Sequence, residues 1–230
     1  MQNLKFSTAL AISLVIMATA NGMAATLLIF DKPNLVFVQG KKELTGYYVG
    51  KSNHSVLFAD TSVDYPCVFF IKSDDFRRST DVRAFQHPVK NWDERPYTGG
   101  TAADEDDRWQ VQFSEIPEGC HSRPDGDQFL ANPAQSSNDE AQSNLNERGS
   151  SFRIVKSERV LSIMMVMRRT SSYSESKNKF SECDLWLSPG DIVVVIKKVR
   201  RFSHVRHVSM DGKESRFWLK SSDLRSPYPK

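Results

Sequence analysis

Short apolar stretches separated by turn-forming residues recur along the chain, and no stretch has the apolar period of a long amphipathic helix. In the clearest one, Trp109, Val111 and Phe113 alternate with two glutamines, a pattern typical of a half-buried strand. Asp, Gly, Asn and Pro between the stretches favour turns, so the sequence predicts a mainly β protein. The predicted strands are 26–30, 34–38, 44–49, 54–59, 67–72, 82–85, 108–113, 152–155, 160–167, 184–187, 191–199, 202–208 and 215–219.

The composition of residues 121–150 predicts a boundary between two domains. This stretch is rich in Ser, Asn, Gln, Asp, Gly and Pro and has few large apolar residues, so it cannot bury enough surface to offset the entropy of ordering it. We interpret it as a flexible linker between a β domain at 25–120 and a second domain at 151–230; the alternative is a long surface loop within a single domain.

Charge differs between these two parts. Residues 25–120 carry 11 Lys and Arg against 15 Asp and Glu, whereas residues 151–230 carry 17 against 8. The net charge of +3 therefore hides an acidic first part and a basic last part.

The amino-terminal residues have the composition of a secretory signal. Lys5 precedes an apolar stretch at 9–18, and small residues follow where a signal peptidase would cut. We expect a cleavable signal peptide over residues 1–24, with the mature chain beginning at Asn21 or Ala25, a periplasmic or secreted location, and no stable membrane insertion after cleavage. Because the chain has no charged residue between Phe6 and Phe30, the alternative is an uncleaved membrane anchor.

Two of the three cysteines lie in the first part, and in an exported protein they favour a disulfide. A bond between Cys67 and Cys120 would stabilise the domain by about 3–4 kcal/mol on the chain-entropy model. Cys183 is then left over, either as a buried thiol or bonded to a partner.

Four segments of the last part resemble motifs of a known family. Residues 166–172 read Val-Met-Arg-Arg-Thr-Ser-Ser, 189–196 read Pro-Gly-Asp-Ile-Val-Val-Val-Ile, 202–206 read Phe-Ser-His-Val-Arg, and 217–219 read Phe-Trp-Leu. In this order they resemble the strands and turns of bacterial Src-homology-3-like (SH3-like) domains, over about residues 158–224. The resemblance implies a small β-barrel, and within that family such domains often bind cell-wall peptides or other proteins. No family is recognised in residues 25–120.

The strongest candidate for a binding surface is a basic stretch with aromatic residues between residues 197 and 220. An exported chain meets little nucleic acid, so we expect a protein partner or a cell-wall polymer as the anionic target. The alternative is that the acidic first part neutralises these charges within the molecule. The predicted binding residues are Lys197, Lys198, Arg200, Arg201, Phe202, Arg206, Arg216 and Trp218.

No motif for a catalytic, cofactor or metal site withstands inspection. Gly50-Lys51-Ser52 lacks the earlier glycine of a phosphate-binding loop, and the adjacency of Cys120 and His121 does not supply a catalytic geometry. His204 and His207, three apart on a predicted strand, should point to opposite faces. We therefore predict no cofactor and no metal, and we favour a binding protein over an enzyme, although an active site with an unfamiliar motif is left open.

These features lead to two functional hypotheses. The first is an exported, non-catalytic binding protein of the bacterial envelope, an inhibitor or immunity-type protein that acts on a cell-wall-degrading enzyme. The alternative is a module that targets an envelope protein to peptidoglycan.

Overall fold

A computed structural model describes residues 24–32, 34–50, 67–77, 79–86, 97–105, 108–115, 117, 120, 151–209 and 212–228. The fold there is mainly β, as predicted, and its only helical element is a single 3-10 turn at Ser221–Asp223. The strands are β1 (Ala25–Phe30), β2 (Leu35–Gln39), β3 (Leu44–Gly50), β4 (Cys67–Ser73), β5 (Ser79–Gln86), β6 (Thr98–Glu105), β7 (Arg108–Phe113), β8 (Ser151–Val160), β9 (Ser162–Val166), β10 (Thr170–Ser176), β11 (Lys179–Leu187), β12 (Ile192–Val199), β13 (Phe202–Val208), β14 (Glu214–Lys220) and β15 (Leu224–Arg225).

The first eight strands form a closed antiparallel barrel in sequence order. β8 closes it by pairing with both β1 and β7, with Glu158 opposite Leu27 and Phe152 opposite Trp109. The side-chain alternation predicted for β7 is confirmed, since Trp109, Val111 and Phe113 are fully buried.

Aromatic rings fill the interior of this barrel. The ring of Trp109 lies 5.1 Å from that of Phe37, and the rings of Phe30 and Phe152 are 5.9 Å apart. Packing is close enough that a Cβ added at Gly46 would overlap the ring of Phe37. The described side chains therefore pack the interior of the barrel as a core.

The sulfurs of Cys67 and Cys120 lie at bonding distance, which confirms the predicted pair. Both residues are completely buried in the barrel core, and their Cα atoms are 4.8 Å apart. The bond ties β4 to the chain that follows β7, which the sequence places 53 residues later. Cys183 is a free, partly exposed thiol on β11.

The remaining seven strands form a second, curled antiparallel sheet in the order β11-β10-β14-β13-β12-β9-β15. One face covers a small core that includes Val193, Val205, Phe217 and Leu219. Asp223 fastens the 3-10 turn to the start of β10, because it accepts hydrogen bonds from Thr170 Oγ1 at 2.7 Å and Arg168 Nε at 2.8 Å.

The barrel and the second sheet share an apolar interface. Outward-facing side chains of β1–β4, such as Val36 and Phe70, form one buried cluster with Ile163, Ile192 and Val194 of the second sheet. Near the carboxyl terminus, Tyr228 Oη donates a hydrogen bond of 2.8 Å to the carbonyl oxygen of Gly46. The two sheets are thus packed together through a common core.

The predicted boundary at residue 151 differs from the boundary between the sheets. Residues 151–160 form β8, whose backbone pairs with β1 and β7, so they complete the barrel and the second sheet begins only at β9. Sequence alternation could not reveal this, because β8 exposes both Val155 and Lys156.

Several predictions concern residues outside the described part of the chain. They are the signal peptide, described only at its last residue, the strand at 54–59 and the linker at 121–150. In the part that is described, no helix is long and apolar enough to span a membrane.

Candidate functional site

The outer face of the second sheet carries the residues with the clearest potential for binding. Strand alternation places Phe202, His204 and Arg206 of β13 on this face, opposite Lys220, Trp218 and Arg216 of β14. Between them, Ser203 and Val205 point to the other face, toward the small core. One side of the sheet therefore faces the small core, and the other carries aromatic and charged side chains next to the apolar residues, such as Val194, that pack on the barrel.

Five ring-bearing side chains form a continuous strip across this face, which we call the ring strip. Phe180 stacks on Phe202 with ring centroids 4.0 Å apart, and it meets Trp218 edge-on at 5.1 Å. Tyr173 lies 5.1 Å from Phe202, and His204 lies 4.9 Å from Trp218. Trp218 and Phe202 are buried at its base, while Tyr173, Phe180 and His204 are half-buried and reachable from solvent.

Cationic groups lie over the rings. Lys197 Nζ is 5.1 Å from the ring centre of Trp218, Lys220 Nζ is 5.5 Å from that of Tyr173, and the Arg201 guanidinium is 5.5 Å from that of Phe202. Within the described residues, no carboxylate forms an ion pair with any of these three cations or with the neighbouring Arg200. The ring strip together with these four cations is the aromatic-basic surface.

A pocket of about 470 Å³ opens within this surface. We call it the turn pocket, because it lies at the turn between β12 and β13. Its lining residues are Tyr173, Phe180, Arg200, Arg201, Phe202 and Lys220. Half of these residues are aromatic and half are cationic, so the pocket combines apolar walls with charged groups that could orient a ligand.

The electrostatic environment of His204 is cationic. Partial burial lowers its pKa from the ordinary 6.5, and the charges of Lys197 and Arg216 lower it further, against a smaller opposing effect of Glu175. Burial is the larger cause of this shift in pKa, and the two nearby cations add to it. The surface is accordingly suited to an anionic partner.

Arg206 and Arg216, predicted as binding residues, are used within the molecule instead. Arg206 is buried, with its Nε 3.0 Å from Glu214 Oε2, and Arg216 Nη2 donates to Glu158 Oε2 at 2.9 Å. Burial opposes ionisation of Glu214, but the hydrogen bond from Arg216 and the charge of Arg206 outweigh it and lower its pKa. Because Glu158 belongs to the barrel, these charges join the two sheets. Their acidic partners lie within residues 151–230, and not in the acidic first part that the alternative of internal neutralisation invoked.

Lys198, also predicted as a binding residue, does not lie on the aromatic-basic surface. Its cross-strand neighbour is Ser203, whereas that of Lys197 is His204, so the two lysines point to opposite faces of the sheet. Of the eight predicted residues, the structure brings together Lys197, Arg200, Arg201, Phe202 and Trp218. The sequence did not show which of the two lysines lies on the aromatic face, because β12 is irregular between Val195 and Lys197.

Sequence analysis missed Tyr173 and Phe180, which come from a segment between the predicted strands 160–167 and 184–187. They lie on β10 and β11, a hairpin closed by the pair Ser176 and Lys179. The available signal was the turn dipeptide Lys177-Asn178, where both residues have positive φ, 50° and 63°.

Three features bear on catalytic chemistry: groups of metal-binding side chains, the pair His204 and His207, and Cys120. In the residues that can be described, no group of three or more His, Cys, Asp and Glu side chains could hold a metal ion. His204 and His207 do face opposite sides of the sheet, as predicted, with His204 beside Trp218 and His207 6.3 Å from Phe217. Cys120 is disulfide-bonded and so is no thiolate nucleophile.

Comparison of the chain with models of known families, with curated proteins and with solved structures finds no match in any of the three. The resemblance of residues 158–224 to SH3-like domains therefore stays a prediction from the sequence.

Proposed function

We propose that this chain is an exported binding protein that docks onto an acidic protein through its aromatic-basic surface, and that the partner is a cell-wall-degrading enzyme which it inhibits. The observation that carries the proposal is the group of three cations over the ring strip, with Arg200 beside them at the turn pocket, none of the four in an ion pair within the described residues.

A protein partner accords with the residue types. Tyrosine, tryptophan and arginine dominate the energetics of protein interfaces, where they supply large rigid contact area and charge-assisted hydrogen bonds. Positive charge around such a centre speeds association with an acidic partner and disfavours basic ones. Half-buried Tyr173 and Phe180, next to Arg201, provide this combination.

Two considerations support a cell-wall-degrading enzyme as the partner. The signal-like amino terminus and the buried cysteine pair favour a location outside the cytoplasm, where such enzymes act. Enzymes that hydrolyse glycosidic bonds carry a pair of carboxylates in an open cleft. A cationic surface placed over that cleft would hold these carboxylates and exclude substrate.

The test is capture from the native envelope with the mature protein, followed by a lysis assay on the captured enzyme. A Lys197→Glu variant should lose at least about tenfold in affinity, because it reverses a charge beside Trp218. Lys198→Glu is the matched control, with the same change one residue away on the opposite face, and it should bind as the parent does. Capture of cell-wall fragments alone, or equal loss in both variants, would refute the proposal.

A second candidate is targeting to the cell wall itself. It is favoured by the size of the turn pocket, about 470 Å³, and by its three aromatic walls, against which a sugar ring could stack. Sedimentation with purified peptidoglycan at low salt tests it. Binding that disappears in a Phe180→Ala variant would support targeting, and failure of the parent protein to sediment would rule it out.

A further inference from the structure

The turn between β12 and β13 has an unexpected residue at its tightest point. Val199 and Phe202 form the last cross-strand pair, so Arg200 and Arg201 alone make the turn. Arg200 has a φ of 54°, in the left-handed region that disfavours residues with a Cβ. Two-residue hairpin turns with positive φ at the first position normally take glycine there. An arginine at this position strains the backbone, and a functional contribution from its side chain would offset that cost.

The position of Arg200 suggests what that contribution is. Arg200, Arg201 and Lys220 lie around the turn pocket, and the rings of Tyr173, Phe180 and Phe202 line it. Lys220 is the cross-strand partner of Phe202, so the sheet itself holds a cation beside the aromatic wall. Three positive charges thus converge on one small pocket with apolar sides.

We infer that the turn pocket receives a glutamate side chain of the partner, an assignment that rests on the proposed function. The two methylene groups of glutamate pack between the rings, and its carboxylate meets Arg200, Arg201 and Lys220. Arginine forms paired hydrogen bonds with a planar carboxylate, which gives the contact geometric specificity as well as charge. Charge complementarity identifies the class of occupant, and the apolar walls favour a carboxylate on a short alkyl stem over a bare inorganic anion.

The strain at Arg200 allows a test that does not depend on damaging the fold. Arg200→Gly removes one cation from the pocket and relieves the positive φ, so its melting temperature should equal or exceed that of the parent. Lys177→Gly is the matched control. Lys177 also has positive φ, 50°, in a two-residue turn, and its replacement removes the same charge from a site that does not line the pocket.

The probe is soluble poly-L-glutamate, titrated into the full mature protein at an ionic strength of about 0.15 M, where the Debye length is about 8 Å. Arg200→Gly should weaken binding about fivefold, the effect of losing one exposed charge pair. Lys177→Gly should stay within about twofold of the parent, because distant charges are screened. Equal weakening in both variants would mean that binding follows net charge, and it would overturn the pocket assignment.

A second titration, with polygalacturonate, separates the two sources of carboxylate. Tighter binding of the polysaccharide that depends on Arg200 would overturn the assignment of a protein glutamate.

Failure of the pocket assignment and failure of the proposed function are also distinguishable. If the captured enzyme is inhibited equally by the parent and by Arg200→Gly, the pocket assignment is wrong and the function stands. If poly-L-glutamate binding depends on Arg200 but no enzyme is captured, the pocket stands and the proposed partner is wrong.

Discussion

The barrel and the second sheet differ in how they use their two faces. In the described part of the chain, the barrel turns one face inward onto a core of seventeen buried residues, and outward apolar side chains on β1–β4 pack against the second sheet. Among the described residues of the second sheet, seven form a buried core on one face. Its other face is divided between the barrel, which covers Ile192 and Val194, and the aromatic-basic surface, which the barrel leaves uncovered.

This difference suggests a division of labour between the two sheets. A closed barrel leaves no sheet edge and gains stability from its interior, so it is a rigid support. The open sheet cannot bury all of its aromatic side chains, and half-buried Tyr173 carries Lys220 above its ring. We therefore expect changes in the barrel to act mainly on stability, and changes in the outer face of the sheet to act mainly on binding.

The largest expected effect comes from breaking the barrel's disulfide. Replacing Cys67 and Cys120 together by serine should lower the free energy of unfolding by about 3–4 kcal/mol, because the open chain gains the entropy of a loop of 53 residues. Urea unfolding followed by tryptophan fluorescence measures the change. Cys183→Ser is the control and should stay within about 0.5 kcal/mol of the parent. A loss confined to one of two separate transitions would show that the shared core does not couple the sheets.

The next largest effect on stability is expected from a change in the second sheet. Asp223→Ala should cost about 2–3 kcal/mol, because Thr170 and Arg168 lose a buried, charged acceptor. Although burial raises the pKa of Asp223, these hydrogen bonds hold it below its ordinary value, so the carboxylate is charged when folded. Amide hydrogen exchange should rise first in β9 and β10, while barrel strands stay protected. Asp184→Ala, at an exposed position on β11, is the control. Uniform loss of protection in both sheets would contradict their separate roles.

Most strands could be predicted from the sequence because they show alternation of apolar and polar residues or a high apolar content. β7 and β12 are clear examples. β6 was missed because its sequence, Thr-Gly-Gly-Thr-Ala-Ala-Asp-Glu, has no large apolar side chain and buries only Ala102. The cysteine pairing was predictable because only two cysteines lie in the first part of the chain.

The candidate site was only partly predictable, because its composition depends on partners that are distant in sequence. Nothing in the sequence near Arg206 indicates that it meets Glu214 and lies within 4.0 Å of Glu158, a residue of the barrel. Phe180 likewise joins Phe202 through a hairpin whose edge strand is largely exposed and shows no regular apolar period. Contacts between sheets decide which charges pair and which stay available, and such contacts leave no local pattern.

The smallest expected effect is a pH dependence. As the pH falls, the stability of the fold should decrease and the affinity for an acidic partner should increase. Burial lowers the pKa of both His204 and His207 from the ordinary 6.5, with Asp191 opposing the shift at His207. Above pH 6.5 both states of the protein carry neutral histidines, and as the pH falls the unfolded chain takes up protons first, so stability is lost. Urea unfolding at pH 7.5 and 5.5 measures this, and a His204→Asn, His207→Asn double variant should show a smaller difference.

Binding should respond in the opposite sense. A proton on His204 adds positive charge beside Trp218 and Lys197, so an acidic partner raises the pKa of His204 and binds more tightly at pH 5.5 than at 7.5. His204→Asn alone should abolish this gain while His207→Asn, on the opposite face, retains it. Since carboxylates with ordinary pKa values of 3.8 to 4.5 stay charged at pH 5.5, they do not account for the change. Equal pH dependence in the two variants would mean that the outer face of the second sheet is not the surface that meets the partner.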